Sequence, residues 1–290
     1  MKFAILGVAG YIAPRHLKAI RETGNELVAA IDLNDSVGVL DQYFPDVKFY
    51  NDFDHFKKQH GPVDYISICV PNHLHFNFIK DSLNMGMNVV CEKPLVVYPD
   101  HLNKIEDLER NIGKTVNSIL QLRLHPVFMR LKNTVGNEKH KITLEYITPR
   151  GPWYHESWKG CMGKSGGLAM NVGVHFFDAL IWLFGSVQNV TIHYSSSTKI
   201  GGKLELERAS VNWFLSIDKS DIPEATKSKG QSTHRLIVVD GQEVEFSEGF
   251  TNLHTASYQQ ILSGNGYRIN DVRQSIELVY KLYENQRSKS

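Results

Sequence analysis

The sequence predicts an α/β protein, with an N-terminal Rossmann dinucleotide-binding domain plus a C-terminal α+β domain built on an open, mostly antiparallel sheet. Three observations carry this expectation. A short apolar strand runs straight into a glycine-rich turn and a helix at the start of the chain. Further apolar strands alternate with helices up to about residue 120, a pattern that requires a parallel sheet with right-handed crossovers. From Lys141 to Phe246 strand-like runs then follow one another with few helices between them.

Residues Lys2 to Leu6 form the first strand, Gly7 to Ala13 the turn, and "PRHLKAIRET" has helical periodicity that stops at Gly24. A second strand, "ELVAAID", ends in Asp32. That is about twenty residues beyond the turn, where a Rossmann unit places an acid to hold the adenosine ribose diol. "NDFDHFKKQ" is a short helix, "VDYISICV" a strand with no polar face, "HFNFIKDSLNM" a helix closed by Gly86, and "NVVCE" another buried strand. A helix near Leu102 to Asn111 and a strand around Thr115 to Leu120 complete the first domain, residues 1–120. In the second, residues 121–290, the strands are "KITLEYI", "VQNVTIHYSS", "ASVNWFLSI" and "HRLIVVDGQEVEFS", where Asp240-Gly241 suits a tight primed turn. An amphipathic helix from about Asn270 to Asn285 closes the chain before a polar tail, and is expected to pack back on the first domain.

A length of 290 residues with 42% hydrophobic and 22% charged content fits a soluble, cytoplasmic globular enzyme. The net charge of +1 leaves no electrostatic surplus for gripping nucleic acid. Of three cysteines, Cys69 and Cys91 sit in apolar runs and are reduced core thiols. "MKFAILGVAGYIA" imitates a secretory signal, but its glycines are better explained by the turn. No apolar run of roughly 18 residues, the length of a membrane span, is evident. The thirteen histidines are scattered, and His73 and His75 lack the partners of a metal site, so no metal is expected.

Gly7, Gly10 and Ala13 make a GxxGxxA turn, one residue longer than GxGxxG. Small residues there let backbone amides, with Tyr11 and Ile12 between them, approach a pyrophosphate at the positive end of a helix. Asp32 favours NAD, because it would repel a 2′-phosphate, and Asn34 follows it. Ligands of open α/β sheets bind beyond the carboxyl ends of strands, where Asp32, Pro71, Asn72, His75, Glu92 and Lys93 all fall.

The order of these motifs, with "PNHLH", "EKP" and later "GGLAMNVGVHFFD", resembles the Gfo/Idh/MocA oxidoreductase family over nearly the whole chain. The resemblance implies hydride transfer between NAD(P) and a hydroxyl carbon, a C-terminal domain that shapes the sugar site, and homo-oligomers, dimeric or tetrameric, formed through the open sheet. Within the family, "GVAGYIAPRHLKAI", "LQLRLHP", "ITPRGPWYHESWKG" and "EFSEGFTNLHTASYQQIL" resemble the bacterial UDP-N-acetyl-2-amino-2-deoxyglucuronate dehydrogenases. That likeness implies oxidation of the sugar C3 hydroxyl of a UDP-sugar acid on a route to lipopolysaccharide sugars, with 2-oxoglutarate as a recycling oxidant in some members. Another sugar, an inositol or another UDP-sugar as substrate, or a catalytically silent NAD-binding protein, are the alternatives.

The resemblance makes Lys93 and His175 the catalytic pair. Lys93 would hydrogen-bond the reacting oxygen, with Glu92 opposing any fall in its pKa and with a cis bond to Pro94. His175 has the near-neutral pKa of a general base. Asn171, four residues earlier, stands where many members carry aspartate; it is expected to orient substrate, and Asp178 to be structural. For the anionic groups of the substrate, Arg150, Trp153, Tyr154 and Lys159 crowd one segment, with Arg123 in "LQLRLHP" as a further candidate.

Overall fold

A computed structural model describes residues 1–246 and 249–288. Ser247 and Glu248, in the middle of "EFSEGF", and the last two residues of the polar tail lie outside it. The chain divides into two compact units. The first contains Met1–Gln121 and Thr251–Arg273, the second Leu122–Phe250 and Gln274–Ser290.

The first unit is built on strands β1 (Lys2–Leu6), β2 (Glu26–Ile31), β3 (Lys48–Tyr50), β4 (Tyr65–Ile68), β5 (Asn88–Cys91) and β6 (Val116–Ser118). Every pairing is parallel and the order is β3-β2-β1-β4-β5-β6. This is the doubly wound arrangement, whose order reverses between β1 and β4. The central strands are buried on both faces, which is why they are apolar without alternation. Helices α1 (Ala13–Glu22), α2 (Leu40–Tyr43), α3 (Phe53–Gln59), α4 (His75–Asn84) and α5 (Asp100–Ile112) cross between strands. Asp52 caps α3 by accepting from the His55 amide, and Gly113, left-handed at φ 72°, ends α5. The short pieces α2 and β3 fall in "LDQYFPDVKFY", too short a stretch to show a period.

The second unit opens with α6 (Pro126–Thr134), followed by β7 (His140–Ile147), α7 (Trp153–Glu156), α8 (Met162–Ser165), a π-helical turn over Ala169–Gly173, and α9 (Val174–Phe184). Then come β8 (Val187–Ser195), β9 (Lys199–Leu206), β10 (Ala209–Ser216), α10 (Glu224–Lys227), β11 (His234–Val239) and β12 (Gln242–Glu243). The sheet order is β12-β11-β7-β10-β9-β8, antiparallel except for the β7–β10 pair. β9, "KIGGKLEL", is a strand that its glycine pair hid from the pattern. Asp240 and Gly241 both take positive φ, 50° and 83°, as the primed turn between β11 and β12 requires. Phe177 of α9 meets the buried Trp213 of β10 edge to face, 5.2 Å between ring centres, so α9 lies against the sheet.

Two expectations change. Residues 251–273, placed by sequence in the second domain, belong to the first unit; they include α11 (Leu253–Leu262), whose Tyr258 and Ile261 join the core of Phe3, Ile5 and Leu17. The closing helix α12 (Ile269–Arg287) is divided between the units, its residues up to Arg273 falling in the first and those from Gln274 onward in the second. Also, one stretch of the described residues, Met162–Phe184, is long and apolar enough to cross a membrane, but 78% of its most apolar 18-residue window is buried inside the protein. It is the core helical segment of its unit.

Candidate active site

The carboxyl ends of β2, β1, β4 and β5 lie side by side, and each delivers polar groups to the same edge of the sheet. With strands about 4.8 Å apart, that edge spans about 14 Å from Asp32 to Glu92, enough to lay out a dinucleotide.

Gly7 ends β1 at φ 90°, and a Cβ there would stand 2.8 Å from the Cys69 carbonyl carbon and 2.9 Å from the Val70 nitrogen. Only glycine lets the turn pass this close to the end of β4. Gly10 is nearly as tight, 3.0 Å from the Gly7 oxygen. No side chain caps α1, so the positive end of its dipole is left for an anion. Asp32 accepts from the Ala9 amide through Oδ2 and from the Asn34 amide through Oδ1, each at 2.9 Å. These bonds tie the acid to the glycine turn and still leave each oxygen a lone pair for a ribose diol. Asn34 is exposed and holds its own loop through the Ser36 amide. Tyr11 and Leu33, 85% and 88% exposed, flank the turn and the acid with apolar surface suited to an adenine ring. The glycine cradle, the helix end and the acid together fit NAD.

Beyond β4, Pro71 is half-buried and Asn72 buried in a short 3-10 turn. His75 is 1% exposed, with Nδ1 2.8 Å from the Pro94 oxygen and Nε2 2.9 Å from the Val70 oxygen. Both ring nitrogens are thus engaged by backbone, and burial lowers its pKa despite the two carbonyls. The structure gives His75 a place in clamping two loops together, in contrast to the cofactor contact expected of it. Lys93 is half-buried, and its bond to Pro94 is cis, as the family resemblance implies.

Glu92 turns into the core. Its Oε1 lies 2.9 Å from Nε2 of His16, in the first turn of α1, and 2.9 Å from Nε2 of His254, on α11. Its Oε2 accepts from the Lys93 amide at 3.3 Å. His16 Nδ1 is 2.7 Å from the Tyr258 hydroxyl, which is 2.5 Å from Ser67 Oγ. Burial pushes the Glu92 carboxyl up, and its hydrogen bonds and electrostatic interactions with the two imidazoles more than reverse it, leaving it well below the usual carboxylate range. Burial lowers His16, with Glu92 offsetting part of the effect. The ring nitrogens of His16 and His254 and the Glu92 oxygen lie within 4.8 Å of one another, a grouping that histidine spacing could not reveal. At 2.9 Å from one carboxylate oxygen, both imidazoles are at hydrogen-bonding distance.

In the second unit the segment from Ser165 to Ile181 is buried at every position except Asn171 and His175. One stripe of an otherwise sealed helix therefore surfaces, and it carries these two residues. Asn171 sits in the π-helical turn, a local widening common at functional sites. Its Nδ2 donates to the Tyr154 hydroxyl at 3.0 Å. Tyr154 is buried, and burial raises its pKa while the Asn171 bond opposes the rise. Lys159 Nζ lies over the rings of Trp153 and Trp158, 5.4 and 5.8 Å from their centres. Burial and then the neighbouring Arg150 lower the Lys159 pKa. Gly160 permits this fold-back, since a Cβ would stand 2.6 Å from His155 Cα. Two cations and an aromatic surface thus gather as an anion site would need.

Arg123, expected near the substrate, is 4% exposed and bound to Asp178 through Nε–Oδ2 and Nη2–Oδ1 contacts of 2.9 and 2.8 Å. Its charge is committed to the core, and Asp178 is structural. What sequence reading missed altogether is the His16, His254 and Tyr258 set, whose only signal is polar residues at helix positions that face apolar neighbours.

Residues 1–119 match the oxidoreductase family model with an NAD-binding Rossmann fold, and residues 138–212 match that family's C-terminal alpha/beta domain. The chain belongs to the Gfo/Idh/MocA oxidoreductase family. Like other members of Gfo/Idh/MocA, it pairs an NAD-binding Rossmann unit with a second α/β unit. It is similar to the WlbA (WbpB) dehydrogenase from Thermus thermophilus in complex with NAD and UDP-GlcNAcA, with 45% identity, 98% of this chain and 94% of that one covered, and a TM-score of 0.92. The same dehydrogenase has also been solved with NAD and alpha-ketoglutarate. The WlbA dehydrogenase from Bordetella pertussis shares the fold, with a TM-score of 0.83 at 19% identity, covering 100% of this chain and 96% of that one. Among curated Gfo/Idh/MocA relatives, the D-glucoside 3-dehydrogenase of Escherichia coli is 29% identical over 48% of this chain, and the match spans 40% of its length. For an uncharacterized oxidoreductase of Schizosaccharomyces pombe, 25% identical over 54% of this chain, the match spans 43%.

Proposed function

We propose that this protein is an NAD-dependent sugar-nucleotide dehydrogenase that oxidises the C3 hydroxyl of UDP-N-acetylglucosaminuronate to the 3-keto sugar, a step toward lipopolysaccharide O-antigen sugars. The observation that carries this reading is the 45% identity, over nearly the full chain, to a dehydrogenase solved with NAD and UDP-GlcNAcA.

Oxidising a secondary alcohol removes a hydride from carbon and a proton from oxygen. NAD supplies the hydride acceptor when bound. Lys93 steadies the developing alkoxide, and His175, partly exposed on its stripe, takes up the proton. Asn171 and Tyr154, already bonded to each other, orient the sugar. Arg150 and Lys159 hold the pyrophosphate or carboxylate, with Trp153 and Trp158 as the aromatic platform. The alpha-ketoglutarate complex of the similar dehydrogenase supports 2-oxoglutarate as the oxidant that regenerates NAD. The working form is a cytoplasmic homodimer or homotetramer assembled through the open sheet, which light scattering on the purified protein measures.

Mixing pure protein with NAD and UDP-N-acetylglucosaminuronate, with and without 2-oxoglutarate, tests the reading through reduced-nicotinamide absorbance and mass detection of the keto sugar. Turnover of inositol or a free hexose, with none of the UDP-sugar acid, would overturn it. Lys93→Met is expected to keep NAD binding and lose turnover.

A further inference from the structure

Three side chains far apart in sequence, His16, Glu92 and His254, meet at the end of β5, one residue before Lys93. One ordering of protons that satisfies the whole chain of contacts keeps both histidines neutral. His16, neutral, gives its Nε2 proton to Glu92 and accepts at Nδ1 from the Tyr258 hydroxyl; the Tyr258 oxygen accepts in turn from Ser67. His254 gives its Nε2 proton to the same Glu92 oxygen. His254 and Tyr258 lie one turn apart on α11 and so share the face that reaches the core. Three apolar side chains would fill this volume without taking an anion out of water. The other Glu92 oxygen, Oε2, accepts from the Lys93 amide, so the buried anion is joined directly to the residue that follows it.

We propose that His16 and His254 are positioning residues: together they hold the Glu92 carboxylate inside the first unit and thereby fix the direction and the charge environment in which Lys93 leaves β5. The inference rests on the reading of Lys93 as an acid/base group. The other ionisable groups facing Glu92 are Cys69, Cys91 and Tyr258, whose burial keeps them protonated, with His75 beyond; Asp32 faces Cys69, Arg15 faces His16, and Lys93 faces His75. Glu92, in this clamp and held well below the usual carboxylate range, thus stays an anion through the neutral and mildly alkaline range.

The test compares Glu92→Gln, His254→Leu and His254→Gln, the last of which keeps a donor near the position of Nε2. The readout is the pH dependence of Lys93 acetylation by an amine-selective reagent, followed by mass spectrometry from about pH 7 to about pH 10. Thermal unfolding and NAD titration by fluorescence confirm that each variant folds. Removing the charge in Glu92→Gln is expected to move the labelling profile roughly half a unit or more to lower pH. Releasing the carboxylate from one of its two donors in His254→Leu is expected to move it to higher pH, as an anion free to turn toward the lysine would. His254→Gln stays near wild type. With the sugar substrate, Glu92→Gln and His254→Leu lose about tenfold or more in kcat with KM within about threefold. Profiles that coincide in all variants, or His254→Gln and His254→Leu behaving alike, overturn the clamp. If His254→Leu fails to fold, the contrast between Glu92→Gln and His254→Gln decides. Shifted labelling in a protein that never oxidises the UDP-sugar acid upholds the clamp and removes the substrate reading. Normal turnover with unshifted labelling does the reverse.

Discussion

His75 Nδ1 lies 2.8 Å from the Pro94 carbonyl oxygen and its Nε2 2.9 Å from that of Val70, so one buried imidazole ties the loop after β4 to the loop that carries Lys93. Its folded pKa is lowered, chiefly by burial, as is that of His16. Above the unfolded value of about 6.5 neither state holds the proton and stability is complete. Below it the unfolded chain binds protons that the folded chain refuses, so stability falls with pH until the folded pKa is reached. The slope is up to about 1.4 kcal/mol per pH unit for each histidine. Urea midpoints measured between about pH 6.5 and about pH 5 should show this decline, and His75→Asn should flatten it. A slope that His75→Asn leaves unchanged would show that this group does not drive it.

Arg123 and Asp178 should behave as a buried pair. Two charge-assisted bonds join them, and Ser275 Oγ donates to the same carboxylate at 3.2 Å. Arg123→Met leaves the Asp178 anion buried beside fewer donors, an expected loss of about 3–5 kcal/mol. Adding Asp178→Leu should recover part of it, and NAD affinity should not change, since neither residue belongs to the nucleotide edge. Denaturant unfolding of the two variants gives the comparison. A stability loss below about 1 kcal/mol in the single variant would be that of a solvated pair.

The residues that were legible in sequence are those whose local pattern carries their role. Gly7, Gly10 and Asp32 sit at fixed distances along one strand-turn-helix-strand unit, so spacing alone places them on the same edge. Lys93 was likewise marked by the strand that ends at Cys91. The parallel sheet followed from apolar strands without a polar face. What stayed hidden depends on contacts between distant segments. "NLHTASYQQIL" has no strong apolar stripe, because α11 buries His254, Ser257 and Tyr258 along with Leu253 and Ile261. Nothing local assigns it to the first unit, and so nothing local joins His254 to Glu92. Arg123 misled for the same reason: an arginine at a loop looks available until its partner, 55 residues away, is known.

Asp32 should set the choice of dinucleotide. Asp32→Asn keeps one accepting oxygen for the Ala9 amide while removing the charge. A charge-assisted hydrogen bond contributes about 1.5–3 kcal/mol, so NAD affinity is expected to fall about 10- to 100-fold. NADP affinity should hold or rise, because the group that repelled the 2′-phosphate is neutral. Fluorescence titration with both dinucleotides measures the ratio; equal losses for the two would mean that position 32 acts on the turn alone.

Asn171→Asp offers the sharpest probe of the second unit. Asn171 now donates to Tyr154, and an aspartate there would instead accept the tyrosine proton, so the contact survives with its direction reversed. The new charge lies one helical turn before His175, on the stripe that these two positions share. A negative charge favours imidazolium over imidazole. If neutral His175 is the base in the oxidation, the acid limb of kcat/KM must move to higher pH, by roughly half to one unit, and further at low ionic strength. At alkaline pH, where the imidazole is neutral in either case, kcat should lie within about threefold of the parent. Burial already raises the Tyr154 pKa, and the added anion raises it further, so the tyrosine stays protonated across this range and does not contribute the limb. A limb that does not move in Asn171→Asp, or that persists in His175→Asn, would take the base role away from His175.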